Sequence, residues 1–168
     1  MKQISFFKSN SSSKTFGGEL LKNKRKSKRP LSVKKPIHGV LRADLLRSES
    51  FFKYRNQISL SLELQATRSG VKIYRQGLAR DHVHLVLKFS SLQSYKSFVR
   101  AVTGIMAKRF KIKWLYRPFT RIVEWGRDFT TTCAYVLQNE LEGLGVVSYR
   151  KRKRIGFPNG RRAWGNLP

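Results

Sequence analysis

Two histidines separated by one residue, in the segment Asp81-His82-Val83-His84-Leu85-Val86-Leu87-Lys88-Phe89, carry the sharpest chemical signal in this chain of 168 residues. The segment alternates strictly. Val83, Leu85, Leu87 and Phe89 fall on one face of a strand, and His82, His84, Val86 and Lys88 on the other. Imidazoles at i and i+2 then stand side by side, their α-carbons about 6–7 Å apart at strand rise, which suits two ligands of one cation. Neutral imidazole is a common metal ligand near neutral pH. The chain has only three histidines, and two of them are here. The plainer alternative is a histidine pair on a sheet face with no metal.

A second set of groups lies in TTTCAYVLQNELEG, residues 130–143. Read as a helix, it stacks Tyr135 and Asn139 on one face at i and i+4, with Gln138 beside them. A tyrosine hydroxyl beside a metal-held phosphate could attack phosphorus and form a covalent phosphotyrosine. An unperturbed phenol keeps its proton at neutral pH, so a cation or a neighbouring base would have to help remove it. An amide oxygen from Asn139 would complete a mixed nitrogen and oxygen metal site. Against this stands simple packing of a helical tyrosine. Periodicity alone cannot bring Tyr135 next to His82 and His84.

Positioning these groups requires a sheet and helices, and the pattern supplies them. Ile37–Arg42 reads as a short strand. Ser48 can cap a helix from about Ser50 to Arg68, with Phe51, Phe52, Ile58, Leu62 and Leu64 on its buried side and Gly70 at its end. Val71–Leu78 is a second strand and His82–Phe89 the third. Ser90 or Ser91 caps a long helix in which Leu92, Tyr95, Phe98, Val99, Val102, Ile105, Met106 and Phe110 recur at helical spacing. Phe119–Trp125 is the fourth strand. Asp128 offers a cap for the tyrosine helix, which runs to about Glu142 with Phe129, Val136, Leu137 and Leu141 as its apolar stripe, ended by Gly143 and Gly145. This order predicts an α+β sandwich of ferredoxin-like type. Its four-stranded antiparallel sheet would carry two helices on one face and the tyrosine helix toward the other.

Composition points to the partner. Thirty-six Lys+Arg against nine Asp+Glu give a formal net charge of +27. Self-repulsion of that size destabilises a compact state, so a polyanionic partner is expected, nucleic acid before anionic membrane. No apolar run approaches the roughly 20 residues that span a bilayer. The scarcity of carboxylates makes a clustered two-metal nuclease site improbable. A single cysteine, Cys133, excludes an internal disulfide and a multi-cysteine zinc site. It reads as a small buried residue. MKQISFFKSNSSSK has no secretory apolar core, so a cytoplasmic location is expected. Residues 1–35 read as a basic, flexible arm, 36–147 as the domain, and 148–168 as a basic tail containing Arg150–Arg154.

The combination resembles the HUH single-tyrosine transposases of small insertion sequences and their REP-associated relatives. DHVHLVL at 81–87 is similar to that family's His-hydrophobe-His motif, and AYVLQNELEGLGVV at 134–147 to its tyrosine helix. RPFTRIVEWGRDF at 117–129 resembles the segment leading into that helix, and PLSVKKPIHGVLRA at 30–43 the first strand. FGGELLKNKRKSKRP resembles the N-terminal arms of some REP-associated members, so the likeness spans roughly residues 16–147. The family often has Asn before the first histidine and Pro after the helix Asn, where this chain has Asp81 and Glu140. Asp81 is then available as an outer-shell partner for a histidine.

The resemblance implies a divalent metal, Mg2+ or Mn2+, held by His82, His84 and Asn139, and Tyr135 as nucleophile. It implies cleavage of single-stranded DNA, with hairpin structure near the cut, through a 5′-phosphotyrosine link, followed by rejoining on a 3′-hydroxyl. The acting form would be a monomer or a homodimer. The expected phosphate contacts are Lys22, Lys24, Arg25, Lys26, Lys28, Arg29, Lys34 and Lys35 in the arm, with Arg117, Arg121 and Arg127 lining the groove. Trp114, Tyr116 and Trp125 could stack on bases, although Trp125 reads equally as packing. His38 reads as structural rather than a ligand. Two other classes stay open. One is a non-catalytic basic domain that binds RNA or DNA, which has no use for a tyrosine facing two histidines. The other is a replication-initiator or relaxase nickase, typically a larger chain.

Overall fold

The computed structural model describes residues 14–18, 29–45 and 49–149. Ser48, Lys22, Lys24, Arg25, Lys26, Lys28 and Arg150–Arg154 lie outside the described residues. The elements in chain order are β1 (Thr15–Phe16), β2 (Ile37–Asp44), α1 (Arg55–Ser69), β3 (Val71–Leu78), β4 (His82–Phe89), α2 (Leu92–Phe110), β5 (Lys113–Trp114), β6 (Phe119–Ile122) and α3 (Arg127–Gly143). They form a mixed α+β fold. The sheet runs β1-β6-β2-β4-β3 with every neighbour antiparallel, and β5 pairs with the far end of β2.

Strand alternation sorts side chains to two faces. Ile37, Leu41 and Ala43 of β2 and Val83, Leu85, Leu87 and Phe89 of β4 enter the main core. There they meet Ile58, Leu62 and Ala66 of α1 and Tyr95, Phe98, Val102 and Met106 of α2. Each fully buried aliphatic or aromatic side chain here contributes about 1.5–3 kcal/mol, so this face carries most of the stability. Helix ends follow from their caps. Ser91 Oγ accepts from the Ser94 amide at 3.0 Å, and Gly70, at φ 66°, closes α1 in the left-handed region.

Helix α3 lies on the opposite face, against β3 and β4. Its buried contacts are Val136 and Thr132. Gly77 on β3 makes this approach feasible: a β-carbon there would sit 2.7 Å from the Val136 carbonyl oxygen. Among the described residues, no helix is long and apolar enough to cross a membrane.

Several elements differ from the sequence expectation. The first helix begins as a 3-10 turn at Phe51–Tyr54, where Ser50 Oγ accepts from the Phe52 amide at 3.2 Å, and becomes α-helical from Arg55. Leu64 is exposed rather than buried, because α1 faces the core through Ile58, Leu62 and Ala66. Strand β6 stops at Ile122 instead of Trp125. The Glu124 amide donates to Asp128 Oδ2 at 2.9 Å, and Gly126, at φ 85°, turns the chain into α3. Gly126 is therefore the residue before α3, and Asp128 sits in its first turn, where its charge suits the helix dipole. Leu137 is exposed, so the apolar stripe of α3 is narrower than expected. Part of the stretch read as a flexible arm forms β1. Phe16 is buried there, with the Arg29 guanidinium 4.5 Å from its ring centroid.

Candidate functional site

The two histidines stand on the α3 face of β4, as alternation requires, with ring centroids 4.7 Å apart. Each is anchored through Nδ1. His82 Nδ1–H donates to Asp81 Oδ1 at 2.6 Å, and Asp81 Oδ2 also accepts from Arg42 Nε at 3.0 Å. Burial pushes the Asp81 carboxyl up, but the hydrogen bond and charge of His82, then Arg42, outweigh it and leave it below the usual carboxylate range. A carboxylate in this position fixes the His82 tautomer and leaves the lone pair on Nε2.

His84 is buried and its Nδ1 lies 3.0 Å from His38 Nε2. The two rings stack with centroids 5.3 Å apart. His38 reaches this point because β2 pairs with β4, Val40 opposite His84 and His38 opposite Val86, on the same sheet face. Burial, then the positive charge of Arg121, lower the His38 pKa to about 3, so its ring is neutral at neutral pH. A neutral His38 can accept the His84 Nδ1–H, and in that tautomer His84 Nε2 carries a lone pair. That Nε2 atom is buried.

Tyr135 comes from α3. Its ring lies 5.7 Å from His84 at 89° and 5.8 Å from His38 at 79°, edge on to both. The structure thus brings Tyr135 to His82 and His84, which precede it by 51 residues or more in sequence. Asn139 sits one turn beyond Tyr135, half-buried, its Nδ2–H donating to the Tyr135 carbonyl at 2.7 Å. The Asn139 atom able to ligate a cation is therefore Oδ1. Gln138 instead donates to Glu142 at 2.8 Å. Among the described residues, no group of three or more His, Cys, Asp and Glu side chains could hold a metal ion. The side chains that could donate to a divalent cation here are the two imidazoles and the Asn139 amide oxygen, and imidazole suits Mn2+ better than Mg2+ because it is the softer donor.

A polar clamp holds α3 over the sheet. Arg121 Nη1 donates to Asp128 Oδ1 at 3.0 Å and Nη2 to Thr132 Oγ1 at 2.7 Å. Arg121 is thus bonded within the fold, its side chain 30% exposed. Arg29 is bonded there too: Nη1 donates to the Pro118 carbonyl at 2.7 Å and to Thr120 Oγ1 at 2.8 Å. Lys35 pairs with Glu124 at 2.6 Å. Lys34, Arg117 and Arg127 are exposed on the surface. Trp114 donates its Nε1–H to the Thr103 carbonyl at 3.0 Å and is a packing residue. His38 is the site residue that sequence reasoning passed over. Its phase in β2, shared with Val40 and Arg42, was visible, but the β2–β4 register that sets it beside His84 was not.

Comparison with known proteins gives the family. Residues 37–136 match the family model described as "Transposase IS200 like". No curated protein sequence matches the chain. The structure of a REP-associated tyrosine transposase bound to a REP hairpin is similar in fold, with a TM-score of 0.60 over 70% of this chain and 73% of that one, at 11% identity. A putative transposase from Deinococcus radiodurans is also similar, with a TM-score of 0.43, 17% identity, and coverage of 69% and 97%. The family match extends over more than half of the chain and takes in His38, His82, His84 and Tyr135, so this protein belongs to the IS200-like, HUH single-tyrosine transposase family.

Proposed function

We propose that this chain is a metal-dependent transposase or endonuclease that cleaves and rejoins single-stranded DNA, with Tyr135 as its nucleophile. The observation that carries this reading is the Tyr135 ring set 5.7 Å from His84, itself 4.7 Å from His82, on one sheet face. His82 and His84 through Nε2, and Asn139 through Oδ1, would hold Mg2+ or Mn2+ there. When bound, such a cation polarises a phosphodiester and offsets the charge that builds up on it.

The chain's own groups carry the exchange. Tyr135 Oη forms the new bond to phosphorus as its proton passes to solvent or a neighbouring base. The bond from phosphorus to the 3′ oxygen breaks, and that oxygen takes a proton and leaves as a 3′-hydroxyl. The 5′ phosphate remains on Tyr135. Attack by a 3′-hydroxyl reverses these changes and restores the phenol. One ester replaces another, so no nucleoside triphosphate is needed. Asp81 and His38 keep both imidazoles in the ligating tautomer throughout.

The fold suits the same reading. The order β6-β2-β4-β3, with α1 and α2 on one face, follows a ferredoxin-like sandwich, which we take as the architecture of residues 36–147. Exposed Lys34, Arg117 and Arg127, together with the basic arm at Lys22–Lys28, are taken as phosphate contacts. The REP hairpin in the similar structure supports hairpin-bearing DNA as substrate.

The test is to incubate the full chain with Mn2+ and labelled, hairpin-bearing single strands. A covalent protein–DNA adduct is expected, lost in Tyr135→Phe. His82→Ala and His84→Ala should lose the adduct and retain DNA binding. Binding with no adduct over a broad oligonucleotide set would instead make this a non-catalytic nucleic-acid-binding domain.

A further inference from the structure

The α3 face of the sheet carries a second cluster that the chemistry above does not use. Trp125 lies three residues past the end of β6. Its ring centroid lies 5.7 Å from Tyr74 at 89° and 5.1 Å from Phe129, and Tyr74 and Phe129 meet each other at 5.2 Å and 86°. The indole Nε1–H donates to the Lys34 carbonyl at 3.2 Å. The ring is thus held by two aromatic neighbours and at its polar edge, yet Trp125 is 48% exposed. A tryptophan packed for stability alone is usually much more deeply covered. This one is fixed in place and left open.

Its surroundings are cationic. Lys88 Nζ lies 6.0 Å from the indole centroid, and Lys72 Nζ lies 5.2 Å from that of Tyr74. Lys72 and Lys88 are direct partners across β3 and β4. The nearby carboxylate of Glu124 is already paired with Lys14 and Lys35. Lys88 is four residues beyond His84 on the same face, which at strand rise is about 13 Å. A protein partner with an apolar face would bury two ammonium groups without counter-charge, at a large desolvation cost. A nucleic-acid strand would not: its base covers the ring and its phosphates meet the lysines.

We propose that Trp125, backed by Tyr74 and Phe129 and flanked by Lys72 and Lys88, is a stacking platform for one unpaired base of the DNA strand whose phosphate lies at His82, His84 and Tyr135. This rests on the function proposed above and adds a second fixed point on the same strand, a few nucleotides from the cut. The indole face receives the base. Lys72 and Lys88 move from the rings to the flanking phosphates. Stacking of this kind tolerates any base, so the platform sets the path and register of the strand rather than its sequence.

The test places 2-aminopurine at successive positions along a hairpin-bearing single strand and reads its fluorescence on binding to the full chain. Quenching is expected at one position, retained in Trp125→Phe and lost in Trp125→Leu. Affinity for the single strand in Trp125→Leu should fall roughly 5- to 150-fold. A strand carrying 5-iodouracil at the quenched position should photo-crosslink to Trp125 of the wild-type chain. That readout holds even if Trp125→Leu does not fold. Crosslinks that map only elsewhere, or an unchanged quenching profile and affinity in a folded Trp125→Leu, overturn the platform. If the Tyr135 adduct still forms in that case, the function stands without the platform. Trp125-dependent quenching with no Tyr135 adduct would leave the platform standing and remove the nuclease reading.

Discussion

Replacing His38 by leucine isolates the step from fold to site. His38 Nε2 lies 3.0 Å from His84 Nδ1, in a place where neither ring meets bulk water, and the ligating tautomer of His84 needs it as acceptor of the Nδ1–H. Leucine fills similar space but offers no acceptor. His84 Nδ1–H is then left buried without its acceptor, at a cost of about 1–3 kcal/mol in stability. The imidazole also gains from moving its proton to Nε2, which removes the lone pair a cation needs. Loss of such an outer-shell partner typically lowers metal affinity or activity about 10- to 100-fold. The assay is Mn2+ affinity by calorimetry, paired with 15N shifts that report the His84 tautomer and with the rate of Tyr135 adduct formation. His38→Leu should weaken Mn2+ binding by that factor and shift the tautomer. His38→Gln, which restores an acceptor oxygen, should recover most of both. Metal-free DNA affinity should stay near the wild-type value. Unchanged Mn2+ affinity and an unchanged His84 tautomer in a folded His38→Leu would refute the reasoning.

Three further outcomes follow from the same structure. The folded-state pKa of His38 is lowered from 6.5 to about 3, so the unfolded chain binds the extra proton first. Stability is therefore complete above pH 6.5 and falls as pH drops toward 3, by up to about 1.4 kcal/mol per unit, and His38→Gln should flatten that slope in denaturant titrations. Gly77→Val places atoms where Val136 O and Cγ1 stand 2.7 and 2.8 Å from the added β-carbon. It should lift α3, cost roughly 1–3 kcal/mol in thermal unfolding, and slow adduct formation by up to about 100-fold while DNA affinity changes little. Arg29→Ala should lower the melting temperature without altering the salt dependence of DNA binding. Arg117→Ala and Arg127→Ala should do the reverse, each reducing the log–log salt slope by about 0.7 on single strands.

The sequence by itself determined the local elements and the phase of the residues within them. Strict alternation from His82 to Phe89 put both histidines on one face, because a strand has a period of two whatever it packs against. Helical spacing likewise put Tyr135 and Asn139 on one face, and the excess of basic residues announced a polyanionic partner. Local rules were weaker at element ends. The 3-10 opening of the first helix, where the Phe51 amide also donates to the Arg80 carbonyl at 2.8 Å, and the chain past β6, where the Val123 amide donates to the Pro36 carbonyl at 2.9 Å, rest on bonds to distant segments.

Tertiary structure alone decided what faces what. The side of the sheet that α3 covers turns on Gly77, whose missing side chain admits the helix, and on Arg121, which ties Asp128 and Thr132 to β6. The role of His38 turns on the register of β2 with β4, in which a slip of one residue would point it into the opposite core. Arg29 and Arg121 read as phosphate contacts by charge alone, and only the fold shows that both also have acceptors within the protein, because charge type carries no record of distance. The histidine pair and the tyrosine were thus legible in the order of residues, while their meeting, and the third histidine that supports it, is a property of strand pairing.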